Sequence, residues 1–178
     1  MAFSMFSQSL SYRDDNESSL LVGTNYGLEG KETLVPRRRI GVAVAYQLDK
    51  KSGEEYYWLD FYLRTLNQNF TIDMNSNLLI KTFQDNIIIL QETGKEIDKS
   101  REKLNPNSTS EFYYYILKPS YKISKEDLQK IMDEGIKKTW FMTTLGYFDF
   151  KFEQNTLGQI ITEEYNLIHG KSDFSSDF

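Results

Sequence analysis

Two neighbouring segments alternate strictly between two kinds of side chain, and this alternation is the strongest constraint on the fold. In residues 40–48, large apolar side chains alternate with glycine and alanine. In residues 54–66, apolar residues at odd positions alternate with aromatic and polar residues at even positions. A period of two is typical of β-strands, and the turn-forming residues 49–53 join the two segments. We therefore predict a β-hairpin over residues 40–66.

The size alternation also predicts the register of this hairpin. Trp58 is expected to lie across from the small face of the first strand, near Ala43 and Ala45, because a large ring needs that space. The larger apolar side chains then share the core side of the hairpin. They are Val42, Val44, Leu59 and Phe61.

Strand patterns dominate the chain after residue 39. Further strands are predicted at residues 70–74, 78–83, 87–91, 112–118, 136–143 and 147–152. The apolar run at residues 87–90 is typical of a strand buried on both faces, and residues 93–110 are expected to form a loop containing a short helix at 95–103. Strand and helix do not alternate regularly. We therefore predict an α+β fold with a mostly antiparallel sheet of about eight strands, arranged as a meander, a curled barrel or a sandwich, and two helices near residues 124–134 and 157–169.

Both helices carry recognisable end signals. Ser124 is predicted to cap the first helix, which Gly135 ends. Thr156 and Gln159 have the spacing of a capping box at the start of the second helix. The apolar face of that helix is expected to dock on the sheet, with the charged residues directed mainly toward solvent. The apolar set is Leu157, Ile160, Ile161, Tyr165 and Ile168, and the charged pair is Glu163 and Glu164.

The pattern divides the chain into three parts. We predict an irregular N-terminal segment at residues 1–36, a single α+β domain at residues 37–170, and a flexible C-terminal tail at residues 171–178. The tail repeats Ser-Asp-Phe, so a docking peptide is the alternative to a frayed terminus. A receiving site is then expected on another protein, or on a second copy near Arg37 to Arg39.

Composition excludes several classes of site. The chain has no cysteine and one histidine, which removes disulfides, thiolate metal sites and multi-histidine metal sites. No metal or cofactor is therefore predicted. The net charge is −5, which disfavours nucleic-acid and anionic membrane partners. No membrane helix or signal peptide is recognised. We expect a cytoplasmic protein, and an exported protein whose leader has been removed is the alternative.

Three short motifs suggest a functional interpretation, but the sequence does not supply the further residues that each function would need. The Gly30-Lys31 pair resembles part of a phosphate-binding loop, yet Asn25 stands at the position of the first required glycine and Glu32 at that of Ser or Thr. The Arg37-Arg38-Arg39 run suits anions. Alternation directs successive side chains to opposite faces, which favours a solvated strand entry. His169 lies in the last turn of the second helix, where its partial positive charge is favourable.

The even-numbered face of the second strand is the most informative candidate site. Its residues combine aromatic plates with one carboxylate and one guanidinium group: Tyr56, Trp58, Asp60, Tyr62 and Arg64. Such a set can form a protein interface, where Trp, Tyr and Arg concentrate. It can also stack a small ligand such as a sugar or a base. A second buried layer, with its polar groups satisfied by neighbours, is the structural alternative.

These residues favour a non-enzymatic binding or assembly module that acts through an aromatic-rich sheet surface, with a protein partner or self-association. The first alternative is a carbohydrate-active or other hydrolase that uses a pair of strand carboxylates. Its candidate residues are Asp60, Asp73, Asp149 and Glu153. The second alternative is a carrier of a small apolar ligand, which requires a closed barrel with an empty interior.

Overall fold

The computed structural model describes residues 9–28, 38–66, 69–72, 76–93, 97–104, 107, 109, 111–144 and 146–170. The predictions for Asp73, Arg37 and the tail at residues 171–178 lie outside this part of the chain. Within it there are twelve strands and two helices. The strands are β1 (Leu10–Asp15), β2 (Ser19–Thr24), β3 (Gly27–Leu28), β4 (Arg38–Asp49), β5 (Glu55–Thr65), β6 (Asn77–Thr82), β7 (Ile87–Gln91), β8 (Asp98–Lys103), β9 (Tyr113–Lys118), β10 (Ser120–Ile123), β11 (Ile136–Thr143) and β12 (Gly146–Lys151). The helices are α1 (Lys125–Glu134) and α2 (Thr156–Ile168).

The strands form two antiparallel sheets, which confirms the predicted α+β class. The large sheet has the order β1-β2-β4-β5-β9-β8, with β3 paired to β4 and β10 paired to β5, and it curls into a half-barrel. The small sheet has the order β12-β11-β6-β7. Every pairing between strands in both sheets is antiparallel.

Aromatic contacts join the two sheets across the core. The ring of Phe61 on β5 meets Phe141 on β11 at a centroid distance of 5.2 Å, and it meets Tyr121 on β10 at 6.0 Å. All three side chains are fully buried. Edge-to-face packing of this kind adds to the stabilisation from apolar burial. The space between the sheets is therefore filled with side chains.

The predicted register of the β4–β5 hairpin is confirmed. Trp58 lies directly opposite Ala45, while Val44 faces Leu59 and Val42 faces Phe61. These last four residues have no exposed surface, so the large alternating side chains of both strands face the core, as size alternation requires.

The two helix starts differ in how they are capped. Ser124 caps α1 as predicted, because its Oγ accepts a hydrogen bond from the backbone N–H of Asp127 at 3.0 Å. The predicted capping box of α2 is wrong: the N-cap is Asn155, and no side chain caps it. The Asn155 side chain instead accepts a hydrogen bond from the backbone N–H of Ile136, at the start of β11. Because the Asn155 side chain is hydrogen-bonded to the neighbouring strand, it does not accept a hydrogen bond from the first turn of its own helix.

Three local predictions differ from the structure. Residues 1–36 are not irregular throughout, since β1 and β2 form an antiparallel hairpin on the large sheet. Within the segment predicted as loop and short helix, residues 98–103 form β8, which pairs with β9. Residues 70–72 lie outside any strand. Strands β1 and β8 each pair with the next strand along the chain, and β2 also pairs with β4. Local propensity does not record such pairing.

Strand β7 is also less buried than its apolar run predicts. Ile88 and Leu90 face the core, but Ile87 is 49% exposed and Ile89 is 60% exposed. The strand lies at the edge of the small sheet and its outer face is open to solvent. An apolar run therefore does not imply burial on both faces here.

The prediction that Glu164 is directed toward solvent is wrong. Glu163 is exposed, but Glu164 has no exposed surface and lies against β2 and β3. Its Oε2 is 2.9 Å from Thr24 Oγ1, and burial raises the pKa of its carboxyl group to about 8. A protonated Glu164 can donate to the Thr24 hydroxyl, which lies 3.2 Å from the Val44 carbonyl oxygen and can donate to it.

Replacing Ile161 tests the docking of α2. Ile161 is fully buried in the core, so Ile161→Ala is expected to lower the free energy of unfolding by about 2–5 kcal/mol. The matched control is Gln159→Ala, at an exposed position of the same helix. Urea denaturation measures both. Equal midpoints for the two variants would mean that α2 is not docked.

Glu164 is expected to make stability depend on pH. The folded protein holds this proton up to about pH 8, whereas the unfolded chain releases it near pH 4.5. The free energy of unfolding should therefore fall as pH rises through this window, by up to about 1.4 kcal/mol per pH unit. Glu164→Gln should flatten that slope, while Glu163→Gln, at the exposed neighbour, should retain it. Chemical denaturation at several pH values measures the slopes, and a wild-type slope in Glu164→Gln would contradict the assignment.

Candidate functional site

The five residues predicted as a binding surface share one face of β5. Tyr56, Trp58, Asp60, Tyr62 and Arg64 are each partly exposed, while the residues between them face the core. We call these five residues the aromatic face. The alternation in β5 thus produces two chemically different sides, one dry and one open to solvent.

Small residues on neighbouring strands form the floor beneath the rings. Gly23 of β2, Ala45 of β4 and Trp58 lie in one cross-strand row, and Tyr12 of β1 continues it. The ring of Tyr12 lies over Gly23 so closely that an added Cβ would come within 2.3 Å of it. Ala45 is buried although it is on the outer side of the sheet. Tyr12 therefore extends the exposed aromatic surface beyond the five residues of β5.

Further side chains hold the rings in place. Lys122 Nζ lies 4.7 Å from the centre of the Tyr56 ring, and the rings of Tyr26 and Tyr62 are 6.0 Å apart. Burial raises the pKa of the Tyr62 hydroxyl above its ordinary value. These contacts limit the rotamers that the rings can adopt, so less conformational entropy remains to be lost on binding.

The helix that docks on the large sheet does so from the opposite side. Ile160 of α2 packs on Gly27, and Gly27 lies directly opposite the buried Val42 of β4. The contacts of the small sheet, through Phe141, are also on this core side. In the described ranges, therefore, α2 and the small sheet both leave the aromatic face uncovered.

Sequence reasoning named Arg39 in the arginine run but did not connect it to the aromatic face, although Arg39 lies directly opposite Arg64 in the β4–β5 hairpin. Of the Arg37-Arg38-Arg39 run, Arg38 and Arg39 do point to opposite faces, and Arg38 stacks on Phe148 at 4.6 Å. A buried guanidinium nitrogen without a hydrogen-bond partner is found in each of Arg39 and Arg64. The register of the hairpin is the signal that could have joined the two residues.

Among the residues that the structure describes, the candidate strand carboxylates are not gathered into one cleft. Asp60 lies on the outer face of the large sheet, whereas Asp149 lies opposite Trp140 on the outer face of the small sheet. The two sheets are packed through the core, so these carboxylates are on opposite sides of the molecule. Lys138 binds Asp149 at 2.9 Å, which lowers the pKa of that carboxyl group. Glu153 is exposed after β12.

His169 has companions that the sequence did not reveal. It stands at the C-terminal end of α2, and its Nε2 is 3.1 Å from the hydroxyl of the buried Tyr57. The rings of Tyr46 and Tyr165 lie 4.9 and 4.4 Å from the imidazole ring. Burial and a hydrogen bond to Glu55 raise the pKa of Tyr46 to about 12. These contacts fasten the end of α2 to the central hairpin.

A shallow depression lies beside one end of the aromatic face. It has a volume of about 610 Å³, and Tyr56, Ile89, Lys122 and Asp127 are among the residues that line it. Its walls mix charged and apolar groups, unlike the largely apolar walls typical of small-ligand pockets.

Two features are absent from the described residues. No helix among them is long and apolar enough to cross a membrane. No group of three or more acidic or histidine side chains in the same ranges is placed to hold a metal ion. Comparisons of the chain with protein-family models, curated proteins and solved structures find no match.

Proposed function

We propose that this chain is a non-enzymatic assembly module that pairs with a second copy of itself through the aromatic face. The observation that carries the proposal is the partial exposure of Tyr56, Trp58 and Tyr62 on one strand, on the side of the large sheet opposite α2. Aromatic side chains supply much of the binding energy in protein interfaces. Partly exposed rings along one strand leave apolar area that a partner can bury.

The charges of the aromatic face are complementary to themselves. Asp60 and Arg64 lie on the same face of β5, and Tyr62 lies between them. In a two-fold arrangement centred on Tyr62, the Asp60 of each copy meets the Arg64 of the other. Closed dimers use such isologous contacts, in which residue i meets residue j and residue j meets residue i. This complementarity favours a second copy over an unrelated partner.

The other functions have less support from the geometry. A hydrolase needs two carboxylates held within about 5–10 Å, and Asp60 and Asp149 are on opposite outer faces. A carrier needs an empty interior, and the space between the sheets is occupied by Phe61, Phe141 and Tyr121. The depression beside Tyr56 is the feature that favours a small ligand.

Sedimentation velocity over a range of protein concentrations tests the proposal. The wild-type chain should associate, and Trp58→Ala should weaken association at least about tenfold, as expected for a central aromatic residue. The matched control is Trp140→Ala. Trp140 is partly exposed on the small sheet, and Lys138 Nζ lies 4.6 Å from its ring centre.

Two results would overturn this proposal. One is a wild-type chain that stays monomeric up to millimolar concentration. The other is a dimer that Trp58→Ala and Trp140→Ala weaken equally, because that would place the interface elsewhere or spread the effect over general destabilisation. Thermal unfolding of both variants verifies that each remains folded.

A further inference from the structure

Arg39 and Arg64 form a like-charged pair across the two central strands. They are directly opposite one another in the antiparallel register. Facing residues in such a pair have Cα atoms about 4.5–5.5 Å apart, and like charges placed so are destabilising. A like-charged pair that lowers stability near one end of the two central strands needs a compensating group.

The pair also has hydrogen-bond donors left over. Arg39 Nη2 and Arg64 Nε are shielded from solvent and donate no hydrogen bond in the structure. A guanidinium group cannot lose its proton in a protein, so these donors remain charged and need an acceptor. Two adjacent guanidinium groups with unused N–H donors are the arrangement that binds oxyanions through paired hydrogen bonds.

The surroundings orient Arg64 for this role. Its guanidinium carbon lies 4.4 Å from the centre of the Tyr114 ring, so the flat side of the group is stacked. Stacking fixes the plane of this group, and the Tyr62 hydroxyl, on the same face of β5, is hydrogen-bonded to it. The side chains of Arg39 and Arg64 are partly exposed on this face. An acceptor therefore reaches the pair from the aromatic face and binds the shielded donors after neighbouring side chains move aside.

Local charge favours an acceptor with a single negative charge. Glu102 of β8 lies opposite Tyr114. Its negative charge raises the pKa of the Tyr62 hydroxyl, whereas the positive charges of Arg39 and Arg64 lower that pKa. Asp60 lies four residues before Arg64 on the same face. Two acidic groups thus already offset part of the charge of Arg39 and Arg64. A carboxylate suits the remaining field better than a doubly charged phosphate, because the phosphate is repelled more strongly.

We infer that the Arg39–Arg64 pair is a carboxylate-binding site, which the Asp60 side chain of a second copy occupies. Only the source of the carboxylate rests on the proposed self-assembly.

The site is tested on the full chain at a concentration where it is monomeric. N-acetyl-aspartate N-methylamide is titrated while the arginine Nε–Hε resonances are followed by NMR. The resonances of Arg39 and Arg64 should shift saturably, with a dissociation constant in the range of about 1–10 mM, which corresponds to weak binding of a single small anion. The corresponding asparagine compound, which lacks the charge, should cause no saturable shift at matched ionic strength.

Variants and a second anion sharpen the result. Arg64→Gln and Arg39→Gln should each weaken binding at least tenfold. Arg101→Gln should leave binding unchanged, because Arg101 is not part of the pair. Its guanidinium carbon lies 4.7 Å from the centre of the Tyr113 ring. Arg64→Lys keeps the charge but loses the planar fork, and it should also weaken binding. Equal shifts with the asparagine compound, or tighter binding of inorganic phosphate, would overturn the carboxylate assignment.

A mixing experiment tests the source of the carboxylate. Asp60→Lys and Arg64→Glu should each abolish self-association, because each places like charges opposite one another twice in a two-fold interface. An equimolar mixture of the two variants should associate again, since both contacts then join opposite charges. No recovery in the mixture would remove Asp60 as the source. A positive titration would still establish the site in that case, and a failed titration would remove the site even if the chain self-associates.

Discussion

The pairing of β4 with β5 is the interaction on which the rest of the structure depends. Eleven successive residue pairs, from Arg38–Thr65 to Leu48–Glu55, hold these strands together. One side of the hairpin carries the branched and aromatic residues of the core, and the other carries small residues on β4 beneath the large rings of β5. The same register that closes the core therefore also builds the aromatic face. A shift of one residue would exchange the two sides.

The burial of Glu164 shows that α2 packs on the large sheet beside this hairpin through a polar contact as well as apolar ones. A carboxyl group without exposed surface is tolerated when it is protonated or well hydrogen-bonded. Thr24 of β2 lies at 2.9 Å, and the Gly27 backbone offers close approach, since an added Cβ there would lie 2.4 Å from Ile160. The helix thus meets β2, β3 and β4 through small or polar groups as well as apolar ones. His169 fastens its other end to Tyr57. The core side is occupied, and the opposite side of the sheet carries the aromatic face.

The sequence was informative at a strictly alternating strand pair and at one helix cap. The alternation of residues 40–48 and the Ser124 cap both predicted what is found. It failed where the partner of a group is remote in the chain. Glu164 can be buried because it is hydrogen-bonded to Thr24, which is 140 residues away in the chain. Asn155 does not cap its own helix because its side chain accepts a hydrogen bond from the backbone N–H of Ile136. The five residues of the aromatic face follow from alternation in one strand. Arg39 joins them only through the register between two strands.

The central claim is that the aromatic faces of two copies meet around Tyr62. Because the chain contains no cysteine, one introduced thiol reports directly on a two-fold contact. Tyr62→Cys should form a disulfide-linked dimer rapidly under mild oxidation, since residues on a two-fold axis bring their own Cβ atoms together. Tyr147→Cys, at a position 60% exposed on the small sheet, should remain largely monomeric under the same conditions. Equal cross-linking of the two variants, or none in Tyr62→Cys, would contradict this account.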